Sequence, residues 1–242
     1  MLCGKSKNNS KKHLSLIREC SAQYLILSLT HGFTLAEVLI TLGIIGVVAA
    51  MTIPNLMTAF AKHRVETQLV KFYSTMNEAM RMSVADNGTP EGWVVSGKSY
   101  TYDETVTWME TYISPYLKHD IYQKCSKLYS STPEKLCVNL INGGSLGINI
   151  DVNGGDIVYF IDGDISNFST KNRFMFQFSK VSGVDSSTIN SQNFIEPYTF
   201  YWDGERDSLL TASRGCGVSL GNNYCTKLIQ LNSWKIPSDY PW

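Results

Sequence analysis

The chain has 242 residues, 43% of them apolar and 17% charged, which excludes a disordered, charge-rich segment and suffices for one sizeable domain plus a membrane element. Its formal net charge of zero conceals an asymmetry: residues 1–32 hold Lys5, Lys7, Lys11, Lys12 and Arg18 against Glu19, a surplus of +4, so the remainder carries −4. An acidic remainder argues against nucleic acid as a partner, because phosphate contacts need clustered Lys and Arg.

The basic stretch precedes an apolar run, Phe33–Ile53, whose one charge is Glu37. Some twenty residues at about 1.5 Å rise span roughly 30 Å, the hydrocarbon thickness of a bilayer. A secretory signal peptide has a shorter apolar core followed by a small-residue cleavage site. Here the run is longer and the cations precede it, so residues 1–32 are expected in the cytoplasm and everything after Ile53 outside. Pro54 follows without ending the helical pattern. Beyond it Val65, Leu69, Phe72, Met76 and Met80 step by 4, 3, 4 and 4 along one apolar stripe, and Asp86-Asn87-Gly88-Thr89-Pro90 is a stop. The pattern predicts one helix from about Phe33 to Ala85, roughly 80 Å long, its first half apolar all round and its second half amphipathic.

A second helix is predicted over Asp103–Lys118 from the spacing of Val106, Met109 or Glu110, Ile113 and Leu117, with Pro115 near its end. Strands follow at Cys137–Ile141, Ser145–Val152, Asp156–Asp162 and Arg173–Val181. They are separated by Asn142-Gly143-Gly144, Asn153-Gly154-Gly155 and Asp162-Gly163-Asp164, residues that supply the positive φ of tight hairpins. Phe174, Phe176 and Phe178 alternate, which predicts one aromatic, core-facing side. Short turns imply an antiparallel meander, and the tail Glu196–Trp242 reads as short strands and ordered loops. The expected class is α+β: a long N-terminal α-helix packed on an antiparallel β-sheet.

Of six cysteines, Cys3 and Cys20 lie in the basic stretch, while Cys125 with Cys137 and Cys216 with Cys225 form two close pairs without CxxC spacing. In an exported domain these read as two disulfides, with local pairing the simplest of three connectivities; the alternative is four buried free thiols.

Glu37 lies four residues into the apolar run. A carboxylate there costs on the order of 2.5–3.5 kcal/mol on insertion scales, so it needs a partner or hydration from the headgroups. Gly32-Phe33-Thr34-Leu35-Ala36-Glu37 resembles the processing motif of type IV prepilins and type II secretion pseudopilins. In that superfamily a basic leader ends in Gly, Phe usually comes next, Glu comes four positions later, and the apolar helix runs on to a proline where Pro54 stands. The likeness covers about Gly32–Ala61. Two departures are a long leader with its own apolar patch, Tyr24–Leu29, and Ala36 where many relatives carry a bulkier aliphatic residue.

The resemblance implies a leader at 1–32, a long helix at 33–85 with a transmembrane half at 33–53, and a pilin-like α+β domain at 86–242 outside the cytoplasm. It implies cleavage between Gly32 and Phe33 by a prepilin peptidase, methylation of the new Phe33 amine, and pairing of Glu37 with a neighbouring subunit's Phe33 ammonium. Gly43, Gly46, Ala49 and Ala50 would let helices pack closely. The implied partners are the membrane, other pilin or pseudopilin subunits, an inner-membrane platform protein and an assembly ATPase. The implied location is the bacterial inner membrane, then a filament in the periplasm or on the cell surface. Two rival readings are a pseudopilin acting as a secretion piston and a single-pass anchored binding protein or adhesin that never polymerises.

Neither an enzyme nor a metal or cofactor site is expected. Asp151-Val152-Asn153-Gly154-Gly155-Asp156 faintly resembles the calcium-binding end of major pseudopilins, but its spacing is not that of an EF-hand and it reads as a plain turn, as do Asp162 and Asp164. His63 and His119 are the histidines outside the leader, Glu110 and Asp203-Gly204-Glu205 are isolated acids, and no nucleophile-elbow, zinc-protease or phosphate-loop motif is present.

Overall fold

A computed structural model describes residues 32–93, 101–125, 128, 135–141, 143–151, 154–179, 194–217 and 222–242. The basic leader with Cys3, Cys20 and Tyr24–Leu29 lies outside the described residues, as do Asn142, Val152, Asn153 and Val181 from the expected hairpins. The chain divides into two compact units, Met1–Met57 and Thr58–Trp242.

Helix α1 spans Leu35–Asn87 with Pro54 inside it. In the first unit its apolar side chains, among them Leu39, Ile44, Val47 and Met51, are exposed. This helix is long and apolar enough to cross a membrane. In the second unit the expected stripe is buried: Val65, Leu69, Phe72, Met76 and Met80, joined by Asn77, Ala79 and Ser83.

Helix α2 is Tyr102–Tyr112 and a separate 3-10 turn covers Ser114–Tyr116, so the helix expected over Asp103–Lys118 is shorter. Pro115 has no N–H to donate and disfavours helical φ/ψ at Ser114. Thr101 starts α2 with a capping box to Glu104. Its buried face is Trp108, Met109 and Tyr112, and Trp93 stacks on Tyr112 at 4.4 Å.

Six strands form one antiparallel sheet in chain order: β1 (His119–Cys125), β2 (Lys135–Leu140), β3 (Ser145–Asp151), β4 (Gly154–Phe160), β5 (Arg173–Ser179) and β6 (Ile195–Pro197). The edge strand β1 was not expected, and β6 was expected only as an unplaced short strand of the tail. β1 reads His-Asp-Ile-Tyr-Gln-Lys-Cys and is mostly solvent-facing, so it has no apolar alternation to detect; polar residues suit an exposed edge. The expected turn Asn153-Gly154-Gly155 is displaced. Asp151 pairs with Gly154 and Ile150 with Gly155, so both glycines belong to β4. A Cβ at Gly155 would lie 2.5 Å from the Asn149 carbonyl oxygen, which is why glycine stands there. The third expected turn, at Asp162-Gly163-Asp164, opens a longer loop closed by buried Asn172. Asn172 accepts from Asp162 N–H at 2.9 Å and donates to the Asp164 and Asn167 carbonyls, each at 3.0 Å.

Helix α1 and helix α2 cover the aromatic side of β5. Phe72 stacks on Tyr159 at 4.3 Å and meets Phe176 edge-on at 4.9 Å, while Trp108 lies 5.2 Å from Phe178. The opposite side of β5 is buried too. Arg173 donates to Asn223 at 3.2 Å and Gln177 accepts from Thr199 N–H at 2.9 Å, so the C-terminal segment covers it. That segment carries short helices, α3 (Ser208–Thr211) and α4 (Cys225–Leu231), where strands and loops were expected; elements of a turn or two are too short to declare a period. Glu66 of α1 accepts from Lys235 Nζ and Ile236 N–H, both at 2.9 Å. Burial works against the Glu66 carboxylate, but these hydrogen bonds outweigh it and hold the group below its ordinary value.

Disulfides join Cys125 to Cys137 across β1 and β2, and Cys216 to Cys225 at the start of α4. Each closes a short loop and should contribute about 2–3 kcal/mol by limiting the unfolded chain, on the entropy account. The double substitution Cys216→Ala/Cys225→Ala is expected to lower the unfolding free energy by that amount in urea titrations followed by tryptophan fluorescence. A loss below about 0.5 kcal/mol, the usual range of surface substitutions, would remove that bond from the account of stability.

Candidate processing and assembly site

The first turn of α1 is built by two residues three apart. Thr34 precedes the helix, and its hydroxyl accepts from Glu37 N–H at 3.2 Å. The Glu37 carboxylate turns back and accepts from Thr34 N–H at 2.8 Å and from the Thr34 hydroxyl at 2.9 Å. This is a reciprocal capping box, the same device that Thr101 and Glu104 form on α2. A helix start leaves up to four N–H groups without intrahelical partners. In an apolar layer there is no water to take them, so the cap satisfies donors that would otherwise be costly. Thr34 was not expected to matter. The signal was in the sequence, since Thr-x-x-Glu directly before an apolar run is a capping signature.

Gly32 and Phe33 precede the helix, and Phe33 is 87% exposed. A Cβ at Gly32 would meet no atom within 4 Å, so nothing in the fold requires glycine there. Gly43 and Gly46 also face open space, leaving both helix surfaces accessible to another helix.

Other residues singled out in the sequence are not gathered into a site. His63 lies 3.8 Å from Glu66 on an exposed stretch of α1, and His119 stacks against Tyr122 on the edge strand. Asp164 accepts from the Ser166 hydroxyl and N–H, which hold its carboxyl below the usual range. Asp162 accepts from Asp164 N–H and Asn167, and Asp203 from Ser208 and Glu205 N–H. These are turn-closing bonds. Among the described residues no three His, Cys, Asp or Glu side chains come together as metal ligands would.

Comparison with known proteins divides the chain near Pro54. A prokaryotic N-terminal methylation motif matches residues 27–53. This is the prepilin-type cleavage and methylation motif of type IV pilins, carried by structural proteins that a prepilin peptidase processes. The model of a family of unknown function (DUF6613) matches residues 55–242. No curated protein and no solved structure matches the chain.

Proposed function

The chain belongs to the family of unknown function (DUF6613), joined to a prepilin-type methylation motif, and we propose that it is a structural filament subunit, a pilin or pseudopilin of the type IV pilus or type II secretion kind. The observation that carries this reading is the Gly32-Phe33 junction at the start of an apolar helix whose first charge is Glu37. In it, residues 1–32 are a leader, 33–53 span the bacterial inner membrane, and 86–242 stand outside the cytoplasm. The two disulfides support that placement, since such bonds persist in oxidising compartments.

Prepilin peptidase cuts between Gly32 and Phe33 and methylates the new amine. The Phe33 ammonium of one subunit then pairs with Glu37 of the next, which relieves two costly charges in the apolar layer and sets their axial register. Gly43 and Gly46 allow the helices to approach. A platform protein and an ATPase drive subunits from the membrane pool into a filament in the periplasm or on the cell surface.

Intact-mass analysis of the protein from its native membrane tests the first step: the mature chain is expected to begin at methylated Phe33. Gly32→Leu should fold unchanged, because a side chain there meets open space, yet remain uncut. Retention of Met1 in the wild type, or a cut elsewhere, overturns the reading.

A further inference from the structure

A cavity of about 360 Å³ opens between α1, the 3-10 turn at Ser114–Tyr116 and the β-sheet. That is the lower end of the size range of small-molecule sites, about 300–1,000 Å³. Its apolar floor is Phe72, stacked on Tyr159, with Leu117 beside them.

One polar group in it is buried and unsatisfied. Gln68 lines the cavity, and its side-chain oxygen is buried with no hydrogen-bond partner. A buried acceptor of this kind calls for a donor. Tyr159 is only 4% exposed, so its ring is fixed as part of the floor.

The charged side chains that line the cavity are cations. Lys71 and Lys118 line it, and Arg64, two turns before Lys71 on α1, acts electrostatically on the Tyr159 hydroxyl. Among the described residues none of the three forms an ion pair. Asp86 accepts from the hydroxyl of Tyr116, another lining residue, at 2.6 Å. Unpaired cations around an aromatic floor stand out on a chain whose residues after 32 carry a net −4.

We infer that this cavity is a binding site for a compact organic anion with a flat apolar body, of the aromatic carboxylate or sulfonate class. The ring of such a ligand lies over Phe72 and Leu117, its anionic group meets Lys71 and Lys118, and a donor on its body satisfies Gln68. None of its residues belongs to the Gly32–Glu37 segment, so a test of this site does not read out processing.

The test uses the full chain in phosphatidylcholine nanodiscs, with empty nanodiscs as the blank. The probes are 6-hydroxynaphthalene-2-sulfonate, whose hydroxyl is the donor, and its neutral analogue 6-hydroxynaphthalene-2-sulfonamide, followed by calorimetric titration. Saturable one-to-one binding of the sulfonate is expected, at least about tenfold tighter than the sulfonamide, since each tenfold is about 1.4 kcal/mol and a partly screened ion pair supplies that much. The double variant Lys71→Gln/Lys118→Gln changes two exposed side chains, should leave the unfolding midpoint unchanged, and is expected to lose at least about tenfold in sulfonate affinity with no change for the sulfonamide. Absence of saturable binding to the wild type, equal affinity for the two probes, or unchanged affinity in the double lysine variant overturns the inference.

Discussion

Glu37→Gln subunits are expected to be cleaved and inserted like the wild type and yet to be almost absent from sheared filaments. The substitution isolates charge, because Gln at the third helical position can also close a capping box. The hydrogen bonds to Thr34 at 2.8 and 2.9 Å therefore survive in form, and α1 keeps its start. Insertion becomes easier when an ionised group leaves the apolar layer. What is lost is the partner of the neighbouring Phe33 ammonium, and breaking one side of a low-dielectric pair costs about 3–5 kcal/mol, more than a hundredfold in the association constant. Glu37→Ala removes charge and cap together and should fail in both assembly and helix-start stability. Wild-type amounts of Glu37→Gln protein in filaments would rule out charge pairing. A wild-type protein that never enters a filament while the pilus machinery is active would favour the anchored-binder reading.

Asn77→Leu should destabilise the second unit by the cost of two orphaned groups, about 1–3 kcal/mol each. Asn77 is 2% exposed. Its side-chain nitrogen donates to the Ile195 carbonyl at 3.0 Å, and its oxygen accepts from Ile195 N–H at 2.9 Å. Ile195 belongs to β6, an edge of the sheet, so Asn77 does for that edge what another strand would do. Leu is close to Asn in size and satisfies neither group. Asn77→Asp keeps the acceptor, loses the donor and buries a carboxyl against the Ile195 carbonyl, so its urea midpoint should also fall below wild type. Equal midpoints for Asn77→Leu and wild type would mean that Ile195 finds other partners.

The long helix, its buried stripe from Val65 to Met80, the central strands β2 to β5 and the Gly32-Phe33-Glu37 motif were legible because each carries a periodic or fixed-spacing signal. The edge strand β1 was not, and β6 was legible only as an unplaced short strand in the tail. β1 faces solvent and shows no alternation, while β6 is three residues long and depends on Asn77, a polar residue on an otherwise apolar stripe. The alternation of Phe174, Phe176 and Phe178 assigned one side of β5 to the core and left the side of Arg173 and Gln177 unassigned. They are covered because the C-terminal segment folds over them, and that long-range packing leaves no local mark. Thr34 was legible in principle, but the negative charge of Glu37 drew the reading toward a partner in another subunit and away from the backbone three residues earlier.

The meander has a kinetic consequence. Every strand pairs only with its neighbours in sequence, so the sheet can zip up hairpin by hairpin with modest loop-closure entropy at each step. Helix α1 is different: it is tied to the sheet and the tail by contacts 118 residues apart at Asn77–Ile195 and 170 apart at Glu66–Ile236. Contacts of such separation are the slow ones to form. The amphipathic half of α1 leaves the ribosome first and finds its full set of partners last, so its apolar stripe stays uncovered throughout synthesis of the sheet. For a protein made at a membrane, that interval is when a competing helix can occupy the stripe, and the folding rate of the sheet sets how long the interval lasts.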